Sequence, residues 1–201
     1  MKKILILTVL VALSLGGYLY YKRLVNGPEY ALMQAVKAAK THDVATFEHY
    51  VDLPSLTDGL VEQMTDESVL EAIPGGKGFL MQGALRLIKP QLSQLARREI
   101  VRYIEANPNE ATRPALPVKV LGMAGAIMSP DSRFKGIKYN QQQGNEALVG
   151  LEFTQPRYDT TLVLEVKLQS MGDHWQVKQI TNGGQLARQM AQLEKRRNLQ
   201  Q

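Results

Sequence analysis

The stretch Glu146 to Val177, EALVGLEFTQPRYDTTLVLEVKLQSMGDHWQV, decides the fold. Ala147, Val149, Leu151 and Phe153 alternate with more polar neighbours, and Leu162, Leu164, Val166 and Leu168 alternate against Val163, Glu165 and Lys167. A period of two puts one set of side chains on one face of an extended chain, so these are half-buried strands. Trp175 and Val177 begin another short strand, and the period of two already starts near Arg133. The links Gln141 to Asn145, Gln155 to Asp159 and Ser170 to His174 are short and turn-rich. Four strands joined in this way predict an antiparallel meander with one apolar face and one wet face. The apolar face needs a cover, and the cover must come from the helical sequence on either side.

Upstream, the period is that of a helix. Asn26-Gly27-Pro28-Glu29 is a helix start, with proline where no N–H is needed and an acid near the positive end of the dipole. Tyr30, Met33, Val36 and Ala39 lie close to one face at helical spacing. Asp43 caps a second helix carrying Val44, Phe47 and Val51, and Asp52-Leu53-Pro54-Ser55 starts a third carrying Leu56, Leu60 and Met64. A fourth runs from about Thr65 to Ile73 and stops at Pro74-Gly75-Gly76. Phe79 to Ala106 is helical in pattern, with Pro90 expected to kink or break it. The stretch VKVLGMAGAIMSP after Pro117 fits a buried short helix or an apolar loop equally well. Beyond the sheet, Gly184 to about Arg197 reads as a last helix, with Leu186, Met190 and Leu193 on one side and Lys195, Arg196 and Arg197 suiting its carboxyl end. The fold class is α+β: helices packed on a curved four-stranded antiparallel sheet, with a carboxyl-terminal helix.

The chain opens with MKKILILTVLVALSLGGYLYYKRL, in which Ile4 to Tyr21 holds no charged residue. That is about the length a helix rising ~1.5 Å per residue needs to cross the hydrocarbon core of a bilayer. Lys2, Lys3 and the Ser14-Leu15-Gly16 triplet also suit a cleaved signal peptide. Tyr18, Tyr20 and Tyr21 followed by Lys22-Arg23 favour an uncleaved anchor with an aromatic belt at the interface. Residues 1–25 are therefore expected to be a transmembrane anchor with Met1–Lys3 as a cytoplasmic tip. Residues 26–201 are expected to form one extracytoplasmic domain. In a double-membraned bacterium that makes a single-pass inner-membrane protein with its carboxyl-terminal domain in the periplasm. With no cysteine, neither disulfides nor a lipidated amino-terminal cysteine contributes.

The net charge of +5 belongs mostly to the anchor. Lys2, Lys3, Lys22 and Arg23 account for four of the 24 Lys+Arg while all 19 Asp+Glu lie later, so the body carries only +1. That is no nucleic-acid footprint, and no nucleic-acid partner is expected. Charge is nevertheless segregated, at −7 over Asn26 to Gly75 and +8 over Gly76 to Gln201. Either the two parts neutralise one another in the fold, or Arg86, Lys89, Arg97, Arg98 and Arg102 make a basic face for anionic lipid.

Two features carry a resemblance. The order of helical opening and antiparallel sheet ending in Gly172-Asp173-His174-Trp175-Gln176-Val177 resembles the cone-shaped fold of the nuclear-transport-factor-two-like superfamily. Pro28 to Leu60, PEYALMQAVKAAKTHDVATFEHYVDLPSLTDGL, resembles the opening of the bacterial family called domain of unknown function 2939, through Pro28, Tyr30, Asp43, Val51 and Asp52. The short apolar segment ahead of it also fits that family. The resemblance implies a fold and an envelope address, and no reaction.

No catalytic, cofactor or metal set stands out. Gly75-Gly76-Lys77-Gly78 lacks phosphate-loop spacing and follows no strand, so it reads as a linker. No G-x-S-x-G sequence marks a hydrolase nucleophile. His42 and His49 share a helical side only if the break at Asp43 is ignored, and His174 lies far off in a turn. Asp43 and Asp52 are better helix caps than bases. Tyr30, Phe47, Tyr50 and Trp175 come from elements expected to line the cone, as core or as the wall of a pocket for an apolar or amphipathic ligand. The function expected is a non-enzymatic, membrane-tethered periplasmic module that binds an envelope protein, lipid or a peptidoglycan-related ligand through its pocket or exposed faces. The alternatives are a pocket enzyme of isomerase or hydrolase type and a structural subunit of an envelope complex. An enzyme needs a buried acid or imidazole, whereas a binding module needs only an apolar surface or cavity.

Overall fold

The computed structural model describes residues 14, 16–17, 27–66, 69, 79–105 and 132–198. The expected anchor at 1–25 apart from residues 14, 16 and 17, the expected fourth helix beyond residue 66 apart from residue 69, the Gly75–Gly78 linker and the apolar stretch after Pro117 lie outside the described residues. Among the described residues no helix is long and apolar enough to cross a membrane.

Three helices open the body: α1 (Pro28–Lys40), α2 (Val44–Tyr50) and α3 (Leu53–Met64). The long α4 (Phe79–Glu105) follows, then β1 (Arg133–Gln143), β2 (Glu146–Gln155), β3 (Thr160–Ser170), β4 (Trp175–Ile180) and α5 (Gly183–Asn198). The strands pair antiparallel in the order β1-β2-β3-β4, which is the expected meander. Register follows the alternation: Ala147 faces Leu168, Val149 faces Val166, Leu151 faces Leu164 and Phe153 faces Leu162. This row shares a core with Trp175 and Val177 of β4, Ala31 and Ala35 of α1, Leu53 of α3, and Leu186 and Met190 of α5.

The asparates begin their helices as expected. Asp43 Oδ1 accepts from Thr46 N–H at 2.9 Å and Asp52 Oδ1 from Ser55 N–H at 3.1 Å, each satisfying a donor with no partner inside the helix. α4 continues through Pro90 rather than breaking there: Pro90 is exposed, and its missing N–H removes one rung of the ladder without ending the helix. On α3 the fully buried positions are Leu53, Thr57, Val61 and Met64, with Leu56 and Leu60 half-buried beside them. The buried Thr57 hydroxyl donates back to Leu53 O at 2.8 Å, so burial leaves it paired.

The small side chains of α1 face the core. Its inward stripe is Pro28, Ala31, Ala35 and Ala38, while Met33 is 58% and Val36 55% exposed. Alanines let the helix axis come close to the sheet, and that rotates the larger side chains outward.

The two sheet edges differ. Between α2 and α3 the chain crosses β4, where Val51 bridges Val177 in parallel and Asp52 N–H donates to Val177 O at 2.9 Å. Lys178 Nζ adds a 2.8 Å hydrogen bond to Asp52 Oδ2. That edge is thereby covered. β1 forms the other edge and is interrupted by register shifts at Phe134/Gly136 and Ile137/Tyr139, bracketing Lys135 and Lys138. Bulges and lysines of this kind discourage edge-to-edge pairing between molecules.

On the wet face Tyr139 pairs with Gly150 across β1 and β2, and Gly150 pairs with Glu165 on β3. The tyrosine ring lies across the glycine: a Cβ there would meet Tyr139 ring atoms at 2.5 Å. Burial first, then the charge of Glu165 and a hydrogen bond to it, raise the Tyr139 phenol above its ordinary pKa. Gly150→Ala is expected to lift the ring off the strand and cost about 1 kcal/mol, at the low end for overpacking because the obstacle is the end of a side chain. Chemical denaturation checks this, and combining the change with Tyr139→Ala should remove most of the added cost.

Candidate functional site

α2 is a seven-residue helix, too short to persist alone, and it is held at both ends. Asp43 closes its start. At its other end Gln176 Nε2 on β4 donates to Glu48 O at 3.2 Å and His49 O at 3.3 Å. His49 and Tyr50 are thereby placed against the β3–β4 turn. In that turn Gly172 adopts φ +101°, a conformation costly for side chains with a Cβ, and Met171 N–H donates to His174 O at 2.8 Å. His174 is thus delivered to the end of α2.

There the imidazoles of His49 and His174 stack, with centroids 3.9 Å apart and planes 23° from parallel. The Tyr50 ring stands edge-on to both, 4.8 Å from His49 and 5.9 Å from His174. Tyr30 of α1 meets Tyr50 edge-on at 6.4 Å. Edge-to-face contact between aromatic rings is favourable because the positive rim of one meets the negative face of the other. Asp173 Oδ1 lies 2.7 Å from His174 Nδ1. A carboxylate accepts, so Nδ1 carries the proton, and in the neutral ring Nε2 is the acceptor.

The His174 hydrogen bond, foremost among several causes, holds the Asp173 carboxyl below the usual range. Burial, then the proximity of Tyr30 and Asp173, raises the Tyr50 phenol. The result is a half-exposed aromatic surface built from three elements, with one carboxylate at its rim. It offers ring faces and edges for stacking and a small number of polar atoms for orientation.

The four aromatic residues picked from sequence divide into two pairs. Tyr30 and Tyr50 meet in this cluster. Phe47 is half-buried against the core, and Trp175 is only 6% exposed and part of it. The partners the sequence did not supply are His49 and His174, 125 positions apart, whose pairing leaves no local trace. His42 is drawn away from His49: its Nδ1 lies 2.6 Å from Ile104 O of α4.

The basic residues are dispersed as well. Arg97 NH2 binds Glu48 at 3.1 Å, Arg102 lies 3.9 Å from Glu99, Arg98 is exposed and Lys89 is half-buried. The Arg86 side chain is outside the described residues. At about 100° per residue, Arg98 and Arg102 point away from the buried Leu92, Ala96 and Ile104, while Arg97 turns sideways toward α2. Arg97–Glu48 and Lys178–Asp52 each join the acidic opening to the basic remainder, so part of the segregated charge is neutralised inside the fold.

Among the described residues no group of three or more metal-ligating side chains is gathered, and the fully buried polar side chains are Thr57 and Gln155. No curated protein and no solved structure matches the chain. A family model described as protein of unknown function (DUF2939) matches residues 17–104, a span that contains all of Pro28 to Leu60 and reaches from before α1 into the last turn of α4. Residues 17–104, with α1 to α3 and most of α4, thus match the DUF2939 family.

Proposed function

We propose that this protein is a single-pass, membrane-anchored bacterial envelope protein whose residues 26–201 form a periplasmic binding module. The observation that carries the binding reading is the Tyr30–Tyr50–His49–His174 cluster. Four rings from α1, α2 and the β3–β4 turn converge where solvent reaches them, instead of being sealed in the core. Aromatic surface with a few oriented polar atoms suits an amphipathic ligand, a lipid or a segment of an envelope protein. The anchor reading is supported by the uncharged run Ile4 to Tyr21 and its flanking Lys22-Arg23. Helices over one face of a four-stranded antiparallel meander support the cone-like outline of the nuclear-transport-factor-two-like superfamily.

A binding role is favoured over a pocket enzyme by where the carboxylates sit. Asp43 and Asp52 are spent on helix starts, Asp52 additionally on Lys178, and Asp173 is at the exposed rim. None of these is in the dry surroundings that raise a carboxyl toward neutrality for proton transfer.

Native mass spectrometry of the full-length protein, extracted from its own membrane in mild detergent, tests the reading. A co-purifying lipid or polypeptide of defined mass is expected, reduced in occupancy by Tyr30→Ala together with His174→Ala. Bare protein, or occupancy unchanged by these substitutions in folded protein, would sink it.

A further inference from the structure

We propose that the outward side of α1 is a second contact surface, one that lies on the anionic phospholipid bilayer. Met33 and Val36 are three residues apart on α1, hence neighbours on the helix surface, and both are more than half exposed. Lys37 and Lys40 stand on the same outward side and are exposed. Glu29, the acid on that side, is drawn to Asn140 of β1 at 3.1 Å. The result is an apolar pair flanked by two ammonium groups, on a helix whose opposite side is packed on the core through Ala31 and Ala35. This composition suits the boundary between head groups and acyl chains, where apolar side chains enter and lysines meet phosphate.

Chain length supplies the occupant. This step rests on the anchor reading above. From Lys22 at the end of the apolar run to Gly27 at the start of α1 there are only six residues. Even fully extended they reach about 20 Å. A helix tethered that closely begins within reach of the head groups, and its unpaired apolar side is available to them. The tether also raises the local concentration of lipid surface, so a contact too weak to recruit a free protein is occupied in an anchored one.

The chain has no cysteine, so single substitutions to cysteine label one site each. Nitroxide labels at Met33→Cys, Val36→Cys, Leu10→Cys and, as a control on the wet sheet face, Gln169→Cys are placed in the full chain. Each protein is reconstituted in phosphatidylcholine vesicles with and without phosphatidylglycerol. Collision with oxygen, which concentrates in lipid, is compared with collision with a water-soluble nickel chelate. The expected result is a severalfold higher oxygen-to-nickel ratio at positions 33 and 36 than at 169, larger when phosphatidylglycerol is present and lowered by Lys37→Glu with Lys40→Glu.

A ratio at 33 and 36 equal to that at 169 overturns the proposal whatever Leu10 reports. Labels at 33 and 36 shielded from both reagents, with spin–spin broadening between molecules, overturn it in favour of a second copy on this side. The label at Leu10 judges the anchor separately: a water-like ratio there defeats the anchor reading, and leaves the contact surface to be decided by positions 33 and 36.

Discussion

Trp175→Ala is expected to destabilise the protein by about 3–5 kcal/mol, the range for removing a large aromatic side chain from a packed core. Trp175 opens β4, pairs in register with Ser170, and lies in the core with Val177, Leu168, Leu186 and Met190. Its ring fills space between the sheet and the covering helices, and alanine leaves a void that such surroundings close only in part. In a thermal melt the loss corresponds to a fall of roughly 10 °C for a chain of this size. The ring is the only tryptophan, so far-UV circular dichroism must report unfolding in place of intrinsic fluorescence. His174→Ala, one residue earlier, is the matched control. It removes a ring stacked at the surface and is expected to cost no more than about 1 kcal/mol. If both substitutions cost the same, the division of the aromatic set into core and surface is wrong. The contrast also decides how ligand binding is tested, because loss of a bound molecule in a Trp175 variant would report a damaged core.

Asp52→Ala is expected to cost about 2 kcal/mol near neutral pH, from the lost helix cap and the lost charged hydrogen bond together. Asp52 is the joint between α2, α3 and β4. Its carboxylate accepts from Ser55 N–H and Ser55 Oγ, at 3.1 and 2.9 Å, and from Lys178 Nζ at 2.8 Å, while its own N–H holds Val177 O. Partial burial pushes the carboxyl pKa up, but the bonds from Lys178 and Ser55 and the lysine charge outweigh burial and leave it lowered. A lowered folded-state value means that the charged form is favoured in the native protein. The stabilisation is complete above the unfolded value of about 3.9 and is lost as pH falls through the folded one. The stability gap between the native chain and Asp52→Ala should accordingly be widest above about pH 5 and shrink in acid. Asp52→Asn separates the contributions. Asparagine still caps a helix, so it should recover the capping share and leave the pH-dependent share missing. A gap that is constant from pH 7 to strong acid would show that the Lys178 pairing contributes nothing.

Much of the architecture was legible because it is written in short-range pattern. Alternation over Ala147 to Phe153 and Leu162 to Leu168 specifies the strands, their inward face and, with short turns between them, their order. Asp43 and Asp52 announce α2 and α3 through a bond made three residues away. The charge segregation anticipated pairs such as Arg97–Glu48 and Lys178–Asp52, although it named none of them. The inward side of α1 was not legible, for a physical reason. Along α1 the more hydrophobic Met33 and Val36 compete with Ala31, Ala35 and Ala38, and hydropathy alone favours the larger side chains. Depth of approach favours the smaller ones.

The sequence by itself determined the element types, their capping, the meander and the family resemblance of the helical opening, because each depends on residues within a turn or two of one another. Only the tertiary structure decided which side of α1 faces out, that Trp175 and Phe47 belong to packing, and that His49 stacks on His174. Those outcomes depend on contacts between residues far apart in the chain, and no local period records a distance of that kind.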